Sequence, residues 1–596
     1  MEKNTVIAII LSTLVIVLGF TLQAKLFPPQ ETAQAAPRSI EMVNEPVTEE
    51  TLSGDTALVT AVDDTVITNE ADSAATETID TEEDAKNPVA EARYTIETDL
   101  VRVIFTNRGG DVVSYQLKEH RDNGDPIEMA YSHDDNRAFS LVLGQENGKV
   151  VDELFNVRKI SDTAIGFYRT FSVRNADGTT SNFTLVKQYS FAPDDYLFEL
   201  KVTIDGDETL KGLQFGNAAY SLRTSPQIGP EWDQKQDRYE YRKFYYLLDG
   251  KKKTVTLNQG NTKSISSRFT WSAMAGKYFT IVALPEIPIQ GVTYSTISKD
   301  PKKPVSQMIL VRAPVTGRQV TDTWRFYLGP RTERELARYN VATNNPYLLT
   351  DARLNEMVES SGILAPLEFL LKAIMELFYK MIPNWGISIL LMTILMRIVI
   401  FPLTKKSTEA TLKMQEHAPK MQEIQAKYKN DPKKLNEEMA KFYQSSGYNP
   451  LSGCLPLVIQ FPLIFAMYNL FNNYFEFRGA MFIPGWIPDL SRGDSLMQLP
   501  FLVPIVNWGE LRLLPIIYVV SQLLFSKVTQ TPTATAQKGS MKFMMYGMPL
   551  MFFFLFYNAP AGLLLYWTFS NILTLGQQVV INKMMHAKKE LSLVSK

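Results

Sequence analysis

At 596 residues the chain is too long for one compact domain, so two or more structural units are expected. Its formal charge of −2 averages segments of opposite character, so the charge of each segment is more informative than the mean. The single cysteine, Cys454, cannot form an internal disulfide. With four histidines and no HExxH, P-loop, GxGxxG or GxSxG motif, the sequence predicts no catalytic residue, no metal site and no cofactor.

The chain begins with an uncharged apolar run from Val6 to Leu22, which is about long enough to cross a bilayer core. The residues Leu22-Gln23-Ala24-Lys25 fit a signal-peptidase site poorly. We therefore predict an uncleaved transmembrane anchor over residues 1–27.

An acidic segment follows the anchor. Between Pro28 and Pro88 there are 15 acidic residues and two basic ones, with little apolar content to bury. This composition predicts a disordered acidic tether over residues 28–91.

Residues 92–345 show short alternating runs, such as YTIETDLVRVIF from Tyr94 and FTLVKQYSF from Phe183, separated by turns rich in Gly, Asn and Asp. Period-two alternation with this punctuation is typical of an all-β sandwich. We predict a large periplasmic β-sandwich domain. Its aromatic residues fit a strand core better than a ligand groove.

Residues 346–383 are predicted to form a linker and an interfacial amphipathic helix. From Gly362 to Ile382, four charged residues recur at every fourth position and nearly all others are apolar; they are Glu368, Lys372, Glu376 and Lys380. One charged stripe on an apolar cylinder favours a helix lying in the membrane interface. The alternative is a helix packed on the β domain.

Residues 384–583 are predicted to form a core of five transmembrane helices. The spans are Ile387 to Leu403, Leu451 to Phe471, Leu513 to Phe525, Phe543 to Tyr557 and Leu563 to Ile581. Counting the predicted N-terminal anchor as span one, these are spans two to six. A helical hairpin at 404–448 separates spans two and three, and a basic tail covers 584–596. The fold class is thus a polytopic α-helical membrane protein with six transmembrane helices and a large all-β periplasmic domain.

The basic residues set the predicted orientation. The hairpin carries nine lysines against six acidic residues, and lysines also follow the fourth and last spans. Placing the N-terminus inside puts all three segments in the cytoplasm. We expect a multi-pass inner-membrane protein with both termini cytoplasmic.

Arg397 lies roughly 15 Å along the helix from the start of its span and so near mid-bilayer. A charge there is costly and marks a functional candidate, especially since none of the six spans contains Asp or Glu. Thr393 lies one turn earlier on the same face.

Uncharged polar residues also recur at helical spacing in the other spans. They are Trp567, Asn571, Thr574 and Gln578 on the last helix, Tyr518, Gln522 and Ser526 on the fourth, and Gln460 on the third. Together they predict a polar cavity between helices. The alternative for each uncharged residue is that it hydrogen-bonds neighbouring helices and does nothing else.

Three segments carry a family resemblance: NWGISILLMTILMRIVIFPLTKKS from Asn384, NPLSGCLPLVIQFPLIFAMY from Asn449, and MPLMFFFLFYNAPAGLLLYWTFSNILTLGQQ from Met548. They resemble the core of the YidC, Oxa and Alb membrane insertases. The long external domain, closing with WRFYLGP from Trp324, resembles the Gram-negative YidC type.

The resemblance implies an insertase and chaperone for integral membrane proteins that does no covalent chemistry. It implies a hydrophilic, positively charged groove open to cytoplasm and lipid. In this chain the implied groove or client-contact residues are Arg397, Thr393, Gln460, Tyr566 and Trp567, to which the polar spacing adds Gln522 and Asn571.

The implied partners are nascent membrane-protein clients, the Sec translocon, the ribosome, the signal-recognition machinery and the lipid bilayer. Sequence-specific nucleic-acid binding is not expected. Two other classes stay open: an enzyme whose β domain acts on a carbohydrate, and a secondary transporter, which would need repeated halves that are not seen.

Overall fold

The structure is a computed structural model. It describes residues 79–80, 89–122, 124–132, 136–174, 180–206, 218–230, 232, 239–298, 304–315, 317–359, 362–428, 431–446, 455–503, 508–529 and 546–594. The predicted anchor, nearly all of the predicted tether, Cys454 and the start of the predicted fifth span lie outside these residues. Gln460 lies in a described helix, but its side chain lies outside the description.

The chain divides into two compact units. One comprises residues 1–86 and 170–183, and the other comprises residues 87–169 and 184–596. In the first unit, strand β1 (Ile79–Asp80) pairs antiparallel with Val173 and Ser172. The rings of Phe171 and Phe183 stack with centroids 5.4 Å apart.

The strands of the β domain are mostly short, as the turn spacing predicts. The first half are β2 (Arg93–Glu97), β3 (Val101–Thr106), β4 (Asp111–Asp122), β5 (Asp125–Glu128), β6 (Leu141–Leu143), β7 (Lys149–Val150), β8 (Asn156–Ser161), β9 (Ala164–Arg174), β10 (Thr180–Phe191) and β11 (Leu197–Gly206). The second half are β12 (Tyr220–Arg223), β13 (Lys243–Leu248), β14 (Lys251–Val255), β15 (Thr262–Ile265), β16 (Trp271–Ala275), β17 (Phe279–Pro285), β18 (Ile289–Ser295), β19 (Gln307–Arg312) and β20 (Gln319–Pro330).

These strands form three sheets. The largest runs in the order β9, β10, β11, β20, β17, β16, β13 and β14, with β8 beside β9. A second sheet has the order β15, β18, β19, β12, β6 and β7, and a third has β2, β3, β4 and β5. Every pairing described within the domain is antiparallel, for example Leu200 of β11 opposite Trp324 of β20. The predicted large β domain is confirmed.

The two larger sheets pack face to face through aromatic residues. Trp324 is fully buried, and its indole Nε1 donates to the hydroxyl of Tyr220 in the opposite sheet at 2.9 Å. The rings of Phe244 and Tyr294 stack across the same interior at 4.8 Å. Strand β11 alternates buried and partly exposed residues because only one of its faces meets this core. Trp324 and Phe244 are thus core residues.

One ion cluster is buried inside the domain. The Lys187 ammonium is fully buried and contacts Asp111 Oδ1 at 2.7 Å. The Arg137 guanidinium reaches the second oxygen of that carboxylate at 3.0 Å. Burial lowers the pKa of Lys187, and the charge of Asp111 opposes this shift. Because both oxygens of Asp111 are used, the cluster ties β4 to β10.

The segment after β20 stays on the β domain up to Glu359. Helix α1 (Glu333–Ala337) is followed by short 3-10 helices at Arg338–Asn340, Ala342–Asn344 and Leu354–Met357. The Arg331 guanidinium donates to the carbonyl of Met357, and the Tyr245 hydroxyl donates to Glu359 at 3.0 Å. The carboxylate of Glu359 also accepts from Lys243 at 3.0 Å.

The helices that follow are α2 (Ala365–Met381), α3 (Trp385–Lys427), α4 (Pro432–Ser446), α5 (Leu455–Asn473), α6 (Leu514–Thr529), α7 (Met548–Phe556) and α8 (Ala561–Val594). A hairpin of β21 (Met497–Val503) and β22 (Trp508–Leu511) precedes α6. Buried residues of α2, α3, α5, α6 and α8 share one apolar core.

The two carboxylates of the charged stripe of helix α2 contact the protein, whereas Lys380 is exposed. Glu368 accepts a hydrogen bond from Asn469 of α5 at 3.0 Å, and Glu376 accepts one from the Tyr474 hydroxyl at 3.1 Å. Large apolar residues on the rest of the surface are exposed, among them Phe369 and Leu377. The helix therefore presents apolar side chains outward, while its membrane-interface placement stays a prediction.

Helix α3 joins a predicted span and the first arm of the predicted hairpin without a break. Asn384 caps it by accepting from the backbone N–H of Ile387 at 3.0 Å. Its 43 residues extend roughly 65 Å at the helical rise. Within the described residues, Trp385–Glu409 is long and apolar enough to cross a membrane, and Leu514–Lys527 is a shorter apolar helix.

The last helix is longer than its predicted span. Helix α8 begins at Ala561 and continues to Val594, so residues predicted as a basic tail extend the same helix. The described part of the preceding helix runs from Met548 to Phe556, and large residues on it are exposed, including Leu550 and Phe554.

Candidate functional site

Arg397 lies on α3 and reaches across to α8. Its guanidinium Nη2 donates to the hydroxyl of Ser570. The side chain is half-buried, and in the part of the chain that the structure describes no carboxylate pairs with it. A cation held by a neutral hydroxyl keeps its full charge for other partners.

A second contact joins the same two helices. The side-chain amide of Gln577 donates to the backbone carbonyl of Arg397 at 3.1 Å. Further along both helices, the Thr408 hydroxyl donates to Gln578 Oε1 at 3.2 Å. Polar groups on α8 therefore follow α3 for about two turns beyond Ser570.

Thr393 is buried, and its hydroxyl donates to the carbonyl of Ile389 in its own helix at 2.6 Å. This local bond uses the hydroxyl donor but leaves the oxygen lone pairs available. Thr393 thus adds a small polar surface one turn from Arg397.

Asn571 faces a different helix. Its amide donates to Gln522 Oε1 at 2.8 Å and to the Ser521 hydroxyl at 3.2 Å, both on α6. The Thr574 hydroxyl returns to the Ser570 carbonyl at 2.7 Å. The predicted polar stripe on α8 is therefore divided between neighbours, with Asn571 toward α6 and Gln578 toward α3.

The aromatic candidates pack close to these polar groups. Trp567 contacts Tyr518 of α6 with ring centroids 5.8 Å apart and Phe556 at 4.8 Å. Tyr566 is buried, and its ring lies 5.6 Å from Phe471 of α5. The two adjacent aromatic residues thus face different helices.

Sequence reasoning missed Ser570 and Gln577. Both lie on α8, seven residues apart, and Tyr566 precedes Ser570 by four. That spacing describes a second stripe beside the one that Trp567 and Asn571 define. The signal was present, but a Ser flanked by apolar residues on a helix has many possible roles.

The described polar groups that contact Arg397 and Thr393 are uncharged. In the described residues, no group of three or more His, Cys, Asp or Glu side chains could hold a metal ion. The polar groups around Arg397 are hydroxyls, amides and carbonyls. Such groups can solvate a polar chain segment or attract an anion.

Two of the four histidines, His120 and His133, fall within residues 92–345 of the sequence, and His133 lies outside the described residues. His120 hydrogen-bonds the Tyr196 hydroxyl at 3.2 Å, and its ring packs against Phe279 and Phe475. Burial, assisted by the nearby charge of Arg478, lowers the pKa of His120 to about 4. His120 is therefore a neutral packing residue near pH 7.

A bundle of apolar helices with an internal arginine, attached to a large antiparallel β domain, defines an integral membrane protein with an external domain. Two family profiles match the two parts: "YidC periplasmic domain" over residues 93–357 and "60Kd inner membrane protein" over residues 377–589. The chain belongs to the YidC family of membrane protein insertases, so it is an inner-membrane protein whose β domain is periplasmic.

Full-length relatives support the same assignment. The chain is 50% identical over 594 residues to the membrane protein insertase YidC of Treponema denticola, covering 98% of this chain and 100% of that protein. It is 42% identical over 643 residues to the YidC of Treponema pallidum, covering 99% and 100%. The predicted family resemblance is confirmed.

Solved structures are more distant. A crystal structure of an active YidC insertase with its first transmembrane domain resolved is 16% identical, covers 82% of this chain and 92% of its own, and has a TM-score of 0.33. A galactose mutarotase-like protein from Lactobacillus casei is 13% identical, covers 40% and 100%, and has a TM-score of 0.29. Scores of this size carry no functional conclusion.

Proposed function

We propose that this protein inserts integral membrane proteins into the inner membrane and helps them fold. Clients use a hydrophilic, positively charged groove that is open to cytoplasm and lipid. The groove residues are Arg397, Thr393, Gln460, Gln522, Tyr566, Trp567 and Asn571. The observation that carries the proposal is the half-buried Arg397 guanidinium, which lies in the apolar α3 against the Ser570 hydroxyl.

A charged side chain within a membrane span costs free energy, so its presence there points to a functional role. Insertion scales place an arginine at the centre of a span at roughly 2.5–3.5 kcal/mol. A carboxylate would lower that cost, but the described partner is a neutral hydroxyl. The arrangement supports a cation that attracts acidic residues in a client's translocated flank.

Polar groups on α6 and α8 support the second part of the proposal. Gln522 and Asn571 hydrogen-bond each other and can exchange these bonds for bonds to a passing polypeptide. The groove then shortens the apolar barrier that the client's polar flank crosses. Burial of the client's own apolar span in lipid drives the reaction, so no covalent chemistry is needed.

The proposed topology has six transmembrane helices with both termini in the cytoplasm. Its support is the apolar length of α3 and the lysines of the hairpin. Helix α2 lies in the outer interface with its exposed apolar side chains, such as Phe369, toward lipid. We propose the same domain boundaries that the sequence predicts.

The hairpin of α3 and α4 is proposed to receive ribosomes, the signal-recognition machinery and their clients. The ring of His417 on α3 packs against Phe442 on α4 at 5.6 Å, which holds the two arms together. Replacing residues 432–443 with a flexible linker should slow insertion while thermal melting of the remaining protein is unchanged. Normal insertion by the folded variant would contradict this role.

The Sec translocon is proposed as a second partner, beside which the groove receives clients that the translocon releases. Insertion of one Sec-dependent and one Sec-independent client should respond alike to a groove substitution. Loss confined to the Sec-independent client would contradict a shared groove.

Crosslinking of stalled nascent membrane proteins tests the groove. Photoreactive probes at Thr393, Gln460 and Trp567 should crosslink to the client span. The matched control is a probe at Val520, which is on α6 but exposed toward lipid. Equal crosslinking from Val520 and the groove positions would contradict the proposed path.

A further inference from the structure

The hairpin of β21 and β22 has an unusual composition for a segment outside the helices. Strand β21 reads MQLPFLV from Met497 to Val503, with Gln498 as its one polar residue. A strand with one face toward water alternates apolar and polar residues. This strand has apolar side chains on both faces.

Neither face of β21 is covered by the residues that the structure describes. Phe501 is 62% exposed, and Met497 and Leu502 are each 53% exposed. No residue of β21 is fully buried. A two-stranded hairpin without a packed face is marginally stable in water.

The hairpin is nevertheless fixed to the helices at its base. The Trp508 ring stacks on Tyr557 with centroids 3.6 Å apart and an interplanar angle of 12°. The Tyr557 hydroxyl donates to the Glu510 carbonyl at 2.8 Å and accepts from the Arg512 backbone N–H at 3.2 Å. These bonds join β22 to the outer end of α7.

The same tryptophan connects the hairpin to the exposed apolar surface of α7. Its ring also stacks on Phe554 at 5.7 Å, about one turn before Tyr557 in the chain. Phe554 is exposed, as are Leu550, Met551 and Leu555 on the same helix. The exposed apolar residues of the hairpin thus continue the exposed apolar surface of α7.

We infer that the β21–β22 hairpin is a membrane-contacting element that lies in the headgroup and upper acyl region of the outer leaflet. Trp508 and Tyr557 are the residue types that anchor proteins at this depth. The outer edges of a two-stranded hairpin retain unpaired backbone groups, which excludes the dry hydrocarbon centre. Pro500 removes one backbone donor from β21.

Lipid fits the surface better than a protein partner does. A specific protein interface has a polar rim with hydrogen-bonding groups, whereas β21 offers only Gln498. The charged pair of the hairpin, Glu510 with Arg512 at 2.7 Å, is at its base. An apolar surface without complementary charge matches acyl chains.

Depth-dependent fluorescence quenching tests the inference. In a Cys454→Ser background, Leu502→Cys carries an environment-sensitive fluorophore, and the full chain is placed in lipid nanodiscs. Nitroxide lipids labelled near the headgroup should quench the probe about twofold more than lipids labelled near the bilayer centre. The matched control is Ile160→Cys, an exposed apolar position on β8 that only an aqueous quencher should reach.

A second variant tests the membrane contact by adding a charge to the hairpin. Phe501→Asp adds a charge to the proposed contact, so a probe at Met497 should become more accessible to aqueous iodide while α3 and α8 keep their thermal stability. Quenching of the Leu502 probe by iodide and not by lipid nitroxides would overturn the inference. Protection from both quenchers would also overturn it, because it would indicate a protein partner.

Discussion

Asp122 and Arg492 are 370 residues apart in the chain, yet Asp122 Oδ1 lies 2.9 Å from Arg492 Nη2. Asp122 ends β4 of the periplasmic domain, and Arg492 lies in the loop after α5. The same carboxylate lies 3.6 Å from Arg478, whose Nη1 donates to the Arg121 carbonyl at 2.7 Å. These contacts connect the periplasmic domain to the membrane core beyond the covalent linker.

Asp122→Asn should loosen this connection. Partly exposed ion pairs contribute on the order of 1 kcal/mol or less, so the protein should stay folded. Hydrogen exchange should become faster at the backbone amides of residues 477–480 and 490–492. The control is Asp125→Asn, an exposed carboxylate on the paired strand. Faster exchange in both variants would show a general charge effect.

His120 should make the stability of the periplasmic domain sensitive to acid. Its folded pKa of about 4 is below the ordinary value of 6.5, because burial and Arg478 disfavour the charged ring. The unfolded state therefore binds more protons between these values. The stability that neutral His120 provides is complete above about pH 6.5 and is lost as the pH falls toward 4.

Thermal melting of the full chain at pH 7 and pH 5 measures this effect. His120→Phe should lose less stability than the wild type over that interval, by on the order of 1 kcal/mol. Burial raises the pKa values of Asp195 and Glu128, so those carboxyls change stability in the opposite direction. Because the wild type and His120→Phe both contain Asp195 and Glu128, the difference between their pH dependences reports the effect of His120. Equal pH dependence in both would refute the assignment.

Removal of the periplasmic domain should leave insertion of simple clients intact, because none of the proposed groove residues lies in it. The deletion should cover Glu91 to Glu359, since the residues after Pro330 pack on the domain. Phe475, which contacts His120 and Phe279, would become exposed, so the deletion should carry Phe475→Ser. Loss of all insertion by a stably folded deletion would contradict this.

Asp494 should be important for folding of the membrane core. It is fully buried, and its Oδ2 accepts from the backbone N–H groups of Leu513 and Leu514 at 2.8 Å and from Trp486 Nε1 at 2.9 Å. Asp494→Ala leaves these donors unpaired and should cost about 1–3 kcal/mol.

Melting in detergent measures the effect, with Asp494→Asn as a milder variant that keeps one acceptor. The control is Asp489→Ala, which removes a nearby carboxylate that caps the backbone of Ser491 at 2.8 Å. If Asp489→Ala and Asp494→Ala lowered the melting temperature equally, the special role of Asp494 would be excluded.

Arg397 should act through its charge. Arg397→Lys should keep most insertion because a cation remains, although the fork of hydrogen bonds is lost. Arg397→Ala should fail, by on the order of tenfold more for a client with an acidic translocated segment than for its neutral counterpart. Ser570→Ala removes a neutral acceptor and should spare insertion. Two matched clients, normalised to folded insertase, provide the measurement; equal defects for both would refute the electrostatic role.

The sequence alone determined the class of the protein and the position of Arg397, the charged residue within a predicted span. Apolar length, period-two alternation and the position of Arg397 are local properties, because each follows from the residues of one helix or strand. The same locality made the periplasmic β domain predictable. The family resemblance rests on motifs that are also contiguous in the chain.

Only the tertiary structure decided which groups meet. Ser570 and Gln577 contact Arg397, while Asn571 contacts Gln522, although all three are polar residues of the same helix. Which stripe meets which neighbour depends on how whole helices rotate and pack. That choice is a balance over the entire apolar core, so no short segment of sequence contains it.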